Sequence, residues 1–216
     1  MRILASDKAP NSSEEHAMAT IIEASIADLR PTQLTVGMIE VHDKKKHLAS
    51  LKPAAQREFM QAHAIPAVKG PAGSFYITDH HHLGRAAHDA GVKTAFIDPV
   101  ADFSAAMVSE FWRQMDGSRW VHPLDEYGVR HTYDLIPKHL DKLKDDVYRS
   151  LAGYVRNVGG YDKTPTAFAE FVWADFFRRS IAIEDVTADF SAAVQLAVQL
   201  ARSEAARGLP GTHSQP

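Results

Sequence analysis

The chain has 216 residues, of which 24 are basic and 27 acidic, for a formal charge of -3. That near balance argues against a constitutive, non-specific binder of nucleic-acid backbone, which relies on a basic surface, while leaving room for a local basic groove. The lack of cysteine excludes disulfides, thiolate nucleophiles and cysteine-based zinc sites, and no run approaches the roughly 20 apolar residues of a membrane span.

Residues 1–20 are polar and predicted to be flexible, and the tail 208–216 is predicted to be disordered. The start, Met1 to Lys8, lacks the apolar stretch of a secretory signal, so a cytoplasmic protein is expected unless a leader has been removed. Ile21 to Leu29 is short and apolar and fits either strand or helix. After Pro31, apolar residues at Val36, Ile39, Leu48 and Leu51 set a helical spacing over 34–51, with Gly37 against it. Pro53 opens a second helix that runs to His63, with Phe59 and Met60 facing inward. Ala64 to Lys69 and Ser74 to Thr78 read as the strands of a hairpin joined by Gly70-Pro71-Ala72-Gly73. A helix over 81–90 follows, closed by Gly91 at the position that favours a left-handed cap, and Thr94 to Val100 adds a strand.

Beyond Asp102 the pattern is almost wholly helical. Helices are predicted over 104–115, with Met107, Val108, Phe111 and Trp112 at helical spacing, and over 135–148, 166–181 and 189–207. Gly117, Pro123, Gly159-Gly160 and Pro165 mark the loops. The predicted fold is α+β: a small α/β domain over 21–103 packed against a helical region over 104–207.

The most informative stretch is Asp79-His80-His81-His82, between the strand that ends at Thr78 and the alanine-rich helix that follows. A strand that feeds a helix through a polar turn gathers free backbone N–H groups and a positive dipole end at one point, where anions and phosphates bind. Asp79 reads both as a helix N-cap and as a group that orients an imidazole or holds Mg²⁺. Adjacent helical positions point in different directions, so at most two of the histidines face one site. His80 and His81 are the acid/base candidates, and His82 is assigned to packing or to holding a neighbour at the phosphate. Adjacent histidines lack the four-residue spacing of a helical zinc site. Mg²⁺ brought in with a nucleotide suits the carboxylate better.

Downstream, Asp145, Asp146, Tyr148, Arg149 and Arg156 either line a cleft facing this cluster or, for the two aspartates, complement a helix start. Lys44-Lys45-Lys46-His47 reads as a phosphate contact or as a solvated helix face. Trp112, Trp120, Trp173, Phe176 and Phe177 read as core aromatics or as a platform that stacks a base.

Phe75-Tyr76-Ile77-Thr78-Asp79-His80-His81-His82, with Arg85-Ala86 just after, resembles the nucleotide-binding box of the ParB/sulfiredoxin superfamily. Leu29-Arg30-Pro31-Thr32-Gln33, with Val36-Gly37 and Glu40-Val41, is similar to the N-terminal box of its ParB-like nuclease branch. Asp145 to Gly153, Gly159-Gly160-Tyr161 and Phe168 to Asp175 are similar to later parts of that branch. The resemblance implies a ParB/sulfiredoxin-type fold and a site for a nucleotide or other phosphate ester at the strand-to-helix turn. It also implies phosphate contacts from Arg85, His82 and Gln33; for Arg85 the alternative is a helix-surface pair with Asp89. Some superfamily kinases use a glutamate of the N-terminal box as base, which would make Glu40 catalytic; the alternative is an exposed helical carboxylate. Two departures stand out: His80 occupies a position that is often glycine, and His82 and Leu83 intervene before Arg85.

The expected activity is phosphodiester hydrolysis, as a nuclease, or phosphoryl transfer. The alternatives are a small-molecule kinase with a nucleotide donor, and a non-enzymatic, partition-like or regulatory module that binds nucleotide or DNA. No helix-turn-helix pattern supports the DNA version of that last reading.

Overall fold

The computed structural model describes residues 21–213; the expected flexible segment 1–20 and the last three residues lie outside the described residues. The architecture is α+β. A mixed four-stranded sheet is built from β1 (Ile22–Ser25), β5 (Thr94–Asp102), β3 (Ile65–Lys69) and β4 (Phe75–Ile77), in that spatial order. β1 runs antiparallel to β5, β5 parallel to β3, and β3 antiparallel to β4 as the predicted hairpin.

Both faces of β3 are covered, as the apolar run Ile65-Pro66-Ala67-Val68 requires. Ile65 and Ala67 pack with Val41 and Leu48 of α1 (Met38–Ser50), Met60 of α2 (Pro53–Ala62), and Leu83, Ala86 and Ala87 of α3 (His81–Asp89). Val68 turns the other way, onto Phe111 and Met115 of α4 (Val108–Gly117). α4 begins four residues later than its apolar spacing suggests. Asp102 Oδ1 accepts from both the amide (2.9 Å) and the hydroxyl (2.5 Å) of Ser104, a local turn that competes with helix.

α3 ends as its sequence suggests. Gly91 has φ +75°, its N–H donates to the His88 carbonyl, and the Val92 N–H donates to the Ala87 carbonyl. This is a Schellman cap, with Val92 tucked into the core beside Ala87.

Residues 135–148 are not the predicted helix. They form short 3-10 turns at Tyr133–Leu135 and Leu140–Lys142, and then a two-residue strand, β6 (Lys144–Asp145). Pro137 disfavours a continuous helix, and Ile136, Leu140 and Leu143 are buried in two different hydrophobic clusters rather than along one stripe. β6 pairs in parallel with β2 (Thr35–Val36), and this small pairing joins the α/β half to the helical half.

That junction sets the first turn of α1. The N–H groups of Gly37, Met38 and Ile39 donate to His82 Nε2 (2.9 Å), Asp145 Oδ1 (2.8 Å) and Ser150 Oγ (3.2 Å). Three orphan amides of a helix start are thereby satisfied from other elements. A Cβ on Gly37 would lie 2.5 Å from the Ser150 amide nitrogen, so only glycine lets the two chains approach this closely.

The second core lies among α5 (Val147–Asn157), α6 (Ala169–Ser180), α7 (Ile183–Ala188) and α8 (Phe190–Ala201). Leu151 and Val155 pack with Trp173, Phe177, Ala193 and Ala197, and Trp173 stacks on Tyr161 at 4.2 Å. Asp146 and Asp189 cap α5 and α8 through Tyr148 and Ala192 N–H. α8 stops at Ala201, short of the predicted 207. The described part of the tail, 208–213, does not match the expected disorder. Trp173 Nε1 donates to the Pro210 carbonyl (2.8 Å), the Asp162 N–H donates to the Gly211 carbonyl (2.8 Å), and Leu209 packs on the helical core.

Among the described residues no helix is long and apolar enough to cross a membrane.

Candidate functional site

The β4–α3 turn opens onto a cleft of about 910 Å³ between the two halves of the chain. Glu40 and Lys44 of α1, residues 78–83 of the turn, and Arg149 and Arg156 of α5 line it. So do the 161–168 loop and the first turn of α6. Of the sequence-derived candidates, Gln33, Glu40, Asp79, His80, His81 and His82 meet in this one cleft.

Arg85 does not. Its Nε donates to Asp89 Oδ2 (2.8 Å), and its Nη1 donates to the Leu143 carbonyl (2.8 Å) and, more weakly, to that of Leu140 (3.4 Å). Arg85 therefore fastens α3 to the 140–143 turn, and its assignment to the phosphate is corrected. The reason is the spacing: the side chain leaves α3 one turn in, on the face that meets residues 140–143.

The turn itself is strained at His80. His80 has φ +60° and ψ +27°, the left-handed region, while Asp79 Oδ1 accepts from the His80 N–H at 2.6 Å. The backbone thus takes the shape glycine would give, with an imidazole added. Among the described residues only four non-glycine residues have positive φ, and three of them, His80, Arg119 and Phe168, line this cleft. Such strain gathers at functional sites and costs about 1–3 kcal/mol per residue. His80→Gly is accordingly expected to raise stability by about 1 kcal/mol, read as a Tm increase of roughly 2–4 °C. An unchanged or lower Tm would contradict the strain argument.

His81 and His82 are 5% and 9% exposed, and backbone donors distant in sequence occupy their rings. Thr32 N–H donates to His81 Nε2 at 3.1 Å, as Gly37 N–H does to His82 Nε2. Each ring is then a neutral acceptor at Nε2. Burial holds His81 well below the usual imidazole range, and burial pushes His82 down to about 4, although Glu40 pulls it up. The pairing of His80 with His81 as proton carriers is revised on this ground: the Nε2 lone pair of His81 is engaged, whereas His80 Nδ1 is buried without a partner. Burial lowers the basicity of His80 too, and neighbouring Asp79 partly restores it.

These rings give the fold a pH dependence of definite sign. The unfolded chain titrates its imidazoles near 6.5, above their folded values, so unfolding below that pH takes up protons. Stability is complete above about pH 6.5 and falls toward pH 4 by about 1.4 kcal/mol per pH unit for each of the two buried rings. Urea unfolding at pH 7.5, 6 and 5 reads this slope; a flat profile would contradict the buried neutral assignment.

Glu40 sits at the base of the cleft, its side chain 17% exposed, with Oε1 3.3 Å from Lys44 Nζ and Oε2 3.8 Å from His82 Nε2. Burial pushes its carboxyl up, but His82 in its protonated form, at low pH, together with the permanent charges of Lys44 and Arg149, outweighs this and holds it below the usual range. Glu40 is therefore ionised at neutral pH.

Arg149 is the most telling residue. It is 5% exposed, lies 3.8 Å over the Phe171 ring, and pairs with Glu170 through one nitrogen, Nη2, at 3.3 Å. Nε and Nη1 are buried with no acceptor. Burial lowers its pKa to about 10, which leaves it charged at neutral pH. Arg156 shares Glu170, and its ion pair covers the other carboxylate oxygen. The first-turn amides of α3, at His81, His82 and Leu83, also donate to no protein group among the described residues. Asp145, Asp146 and Tyr148 serve the frame instead: they cap α1, cap α5 while pairing with Arg178, and donate to the Ile181 carbonyl.

A family model described as Putative ParB-like nuclease matches residues 22–179. The chain belongs to that family. Every cleft residue named above falls inside the matched span of this ParB-like chain. Its structure is similar to the crystal structure of protein Atu1540 from Agrobacterium tumefaciens, with a TM-score of 0.85 and 40% identity over 90% of this chain and 96% of that one. No curated protein matches the sequence.

Sequence reasoning singled out Arg149 and Arg156 only as one of two readings of the downstream segment, and it missed Glu170 and Phe171 as their partners. The spacing Arg149–Arg156, two helical turns on one face, was the available signal. Of the lysine run, Lys44 faces the cleft while Lys45 and Lys46 face solvent. Trp173, Phe176 and Phe177 are core, and Trp120 alone of the five candidate aromatics lines the cleft.

Proposed function

We propose that the cleft binds a phosphate ester, a nucleotide or a nucleic-acid strand, at the N-terminus of α3, and that it hydrolyses or transfers the phosphoryl group. The observation that carries this reading is Arg149, a buried guanidinium with two donors that no protein group accepts. Leaving such donors buried and unmatched is costly, and phosphate oxygens, one at Nε and one at Nη1, are the anionic acceptors that suit a guanidinium. The free amides of α3 supply further donors and the positive end of the helix dipole.

In this mechanism Arg149 and the amides at 81–83 take the non-bridging phosphate oxygens and stabilise charge as it builds there. Ionised Glu40 accepts the proton of the attacking water or hydroxyl. Burial lowers the basicity of His80, so its imidazole is neutral at neutral pH. A bound phosphate anion favours the imidazolium, so His80 then carries the proton that the leaving oxygen takes. Gln33, 5% exposed on the cleft wall, orients the ligand. Among the described residues no three His, Asp or Glu side chains come together as a metal site. Mg²⁺ would therefore arrive on the phosphate oxygens, with Asp79 the nearest carboxylate of the turn, and it would neutralise phosphate charge.

The test is incubation with nucleoside triphosphates, single- and double-stranded DNA and a chromogenic phosphodiester, with and without Mg²⁺. Adding a hydroxyl acceptor separates transfer from hydrolysis. Turnover of any one supports the reading; a protein that binds none and cleaves none refutes it.

A further inference from the structure

Beside the phosphate turn, the cleft wall carries an aromatic shelf that the steps above do not use. His63, the residue that ends α2, stacks on Phe59 at 4.1 Å with an interplanar angle of 25°. His47 of α1 meets the same Phe59 ring edge-on at 5.0 Å. The His63 ring is pinned, because its Nδ1 lies 2.8 Å from the Phe59 carbonyl and donates to it. Phe59 is half-buried against the core, whereas His63 is exposed, and all three rings line the cleft.

The strand register places this shelf next to the turn. Ala67 pairs with Ile77, and the Thr78 N–H donates to the Pro66 carbonyl. Continued along that antiparallel register, Ile65 and Ala64 fall opposite Asp79 and His80, and His63, the next residue, is among the groups whose charge acts on His80. A solvent-facing ring thus lines the same cleft as the proposed phosphate position.

We propose that this shelf takes the base of a nucleoside phosphate, which stacks on His63 while its phosphates lie at the α3 turn. The proposal rests on the phosphate reading of the cleft and narrows it to nucleosidic ligands. Stacking tolerates any base because every base has a π-face. A pre-stacked ring held by a backbone hydrogen bond loses little freedom on binding. The cleft, at about 910 Å³, is large enough for base, sugar and phosphates together.

Calorimetric titration of the full chain with ADP and with pyrophosphate tests it, using wild type, His63→Ala and His63→Trp. His63 is exposed, so neither substitution should disturb folding; thermal melting checks this. Wild type is expected to bind ADP about tenfold tighter than pyrophosphate. His63→Ala is expected to remove that preference with pyrophosphate affinity unchanged, and His63→Trp to keep or increase it. If His63→Ala leaves the ratio of the two affinities as it was, the shelf plays no part and the phosphate site still stands. If wild type binds neither ligand, the phosphate reading falls and the shelf falls with it.

Discussion

Arg149→Met is expected to weaken pyrophosphate binding at least about 100-fold while leaving Tm unchanged or slightly higher. The two effects follow from one geometry. The guanidinium is 5% exposed, with one ion pair and two unmatched donors. A buried charge in that state contributes little to folding, and an apolar side chain of similar length often replaces it without loss. The introduced methionine would keep the contact with Phe171, and Glu170 would retain Arg156. With a phosphate bound, the same two donors form charge-assisted bonds in a water-poor setting, and removing them there costs most of the affinity. Arg149→Lys keeps the charge but not the fork, so an intermediate loss is expected. Calorimetry and thermal melting on the three proteins read both quantities. Equal affinities, or a collapse of Tm in the methionine variant, would mean that Arg149 is simply structural.

The second large effect is on turnover. Glu40→Gln is expected to lower kcat by about 10²- to 10⁴-fold, the range for removing a general base, with the affinity for phosphate ligands changed little. The amide keeps the shape but accepts no proton at neutral pH. Wild-type kcat is expected to rise as Glu40 ionises, below the usual carboxylate range, and to fall where ligand-bound His80 loses its proton. The Glu40→Gln variant should lose the acidic limb of that profile. A variant that keeps full kcat would remove Glu40 from the chemistry and leave it as the partner of Lys44 and His82.

How much of this could be read from the residues alone varies with the range of the interaction. The β3–β4 hairpin, α3 and its Gly91 cap depend on neighbours within a few positions, and they appear as expected. The cleft also forms around the Asp79–His82 turn, because a strand feeding a helix through a polar turn is a local pattern; the N-cap expected of Asp79 falls instead to His80, which makes no side-chain cap. The fate of each histidine is different. His81 and His82 are engaged by amides 49 and 45 residues away, which no spacing reveals. Arg85 looked available because its carbonyl partners at 140 and 143 lie in a segment misread as helix. That segment follows helical spacing in its apolar residues, yet they divide between two cores and the backbone turns to suit. Phe59 and His63 lie four apart on one helix face, a pattern read only as an inward Phe59.

The most direct test of the phosphate site is residue-resolved. In ¹H–¹⁵N spectra of the full chain titrated with pyrophosphate, the largest shifts are expected at the backbone amides of His81, His82 and Leu83 and at the Arg149 Nε–H. Saturating shifts there would locate the anion at the α3 turn. Shifts confined to other residues, or none at all up to millimolar pyrophosphate, would contradict it.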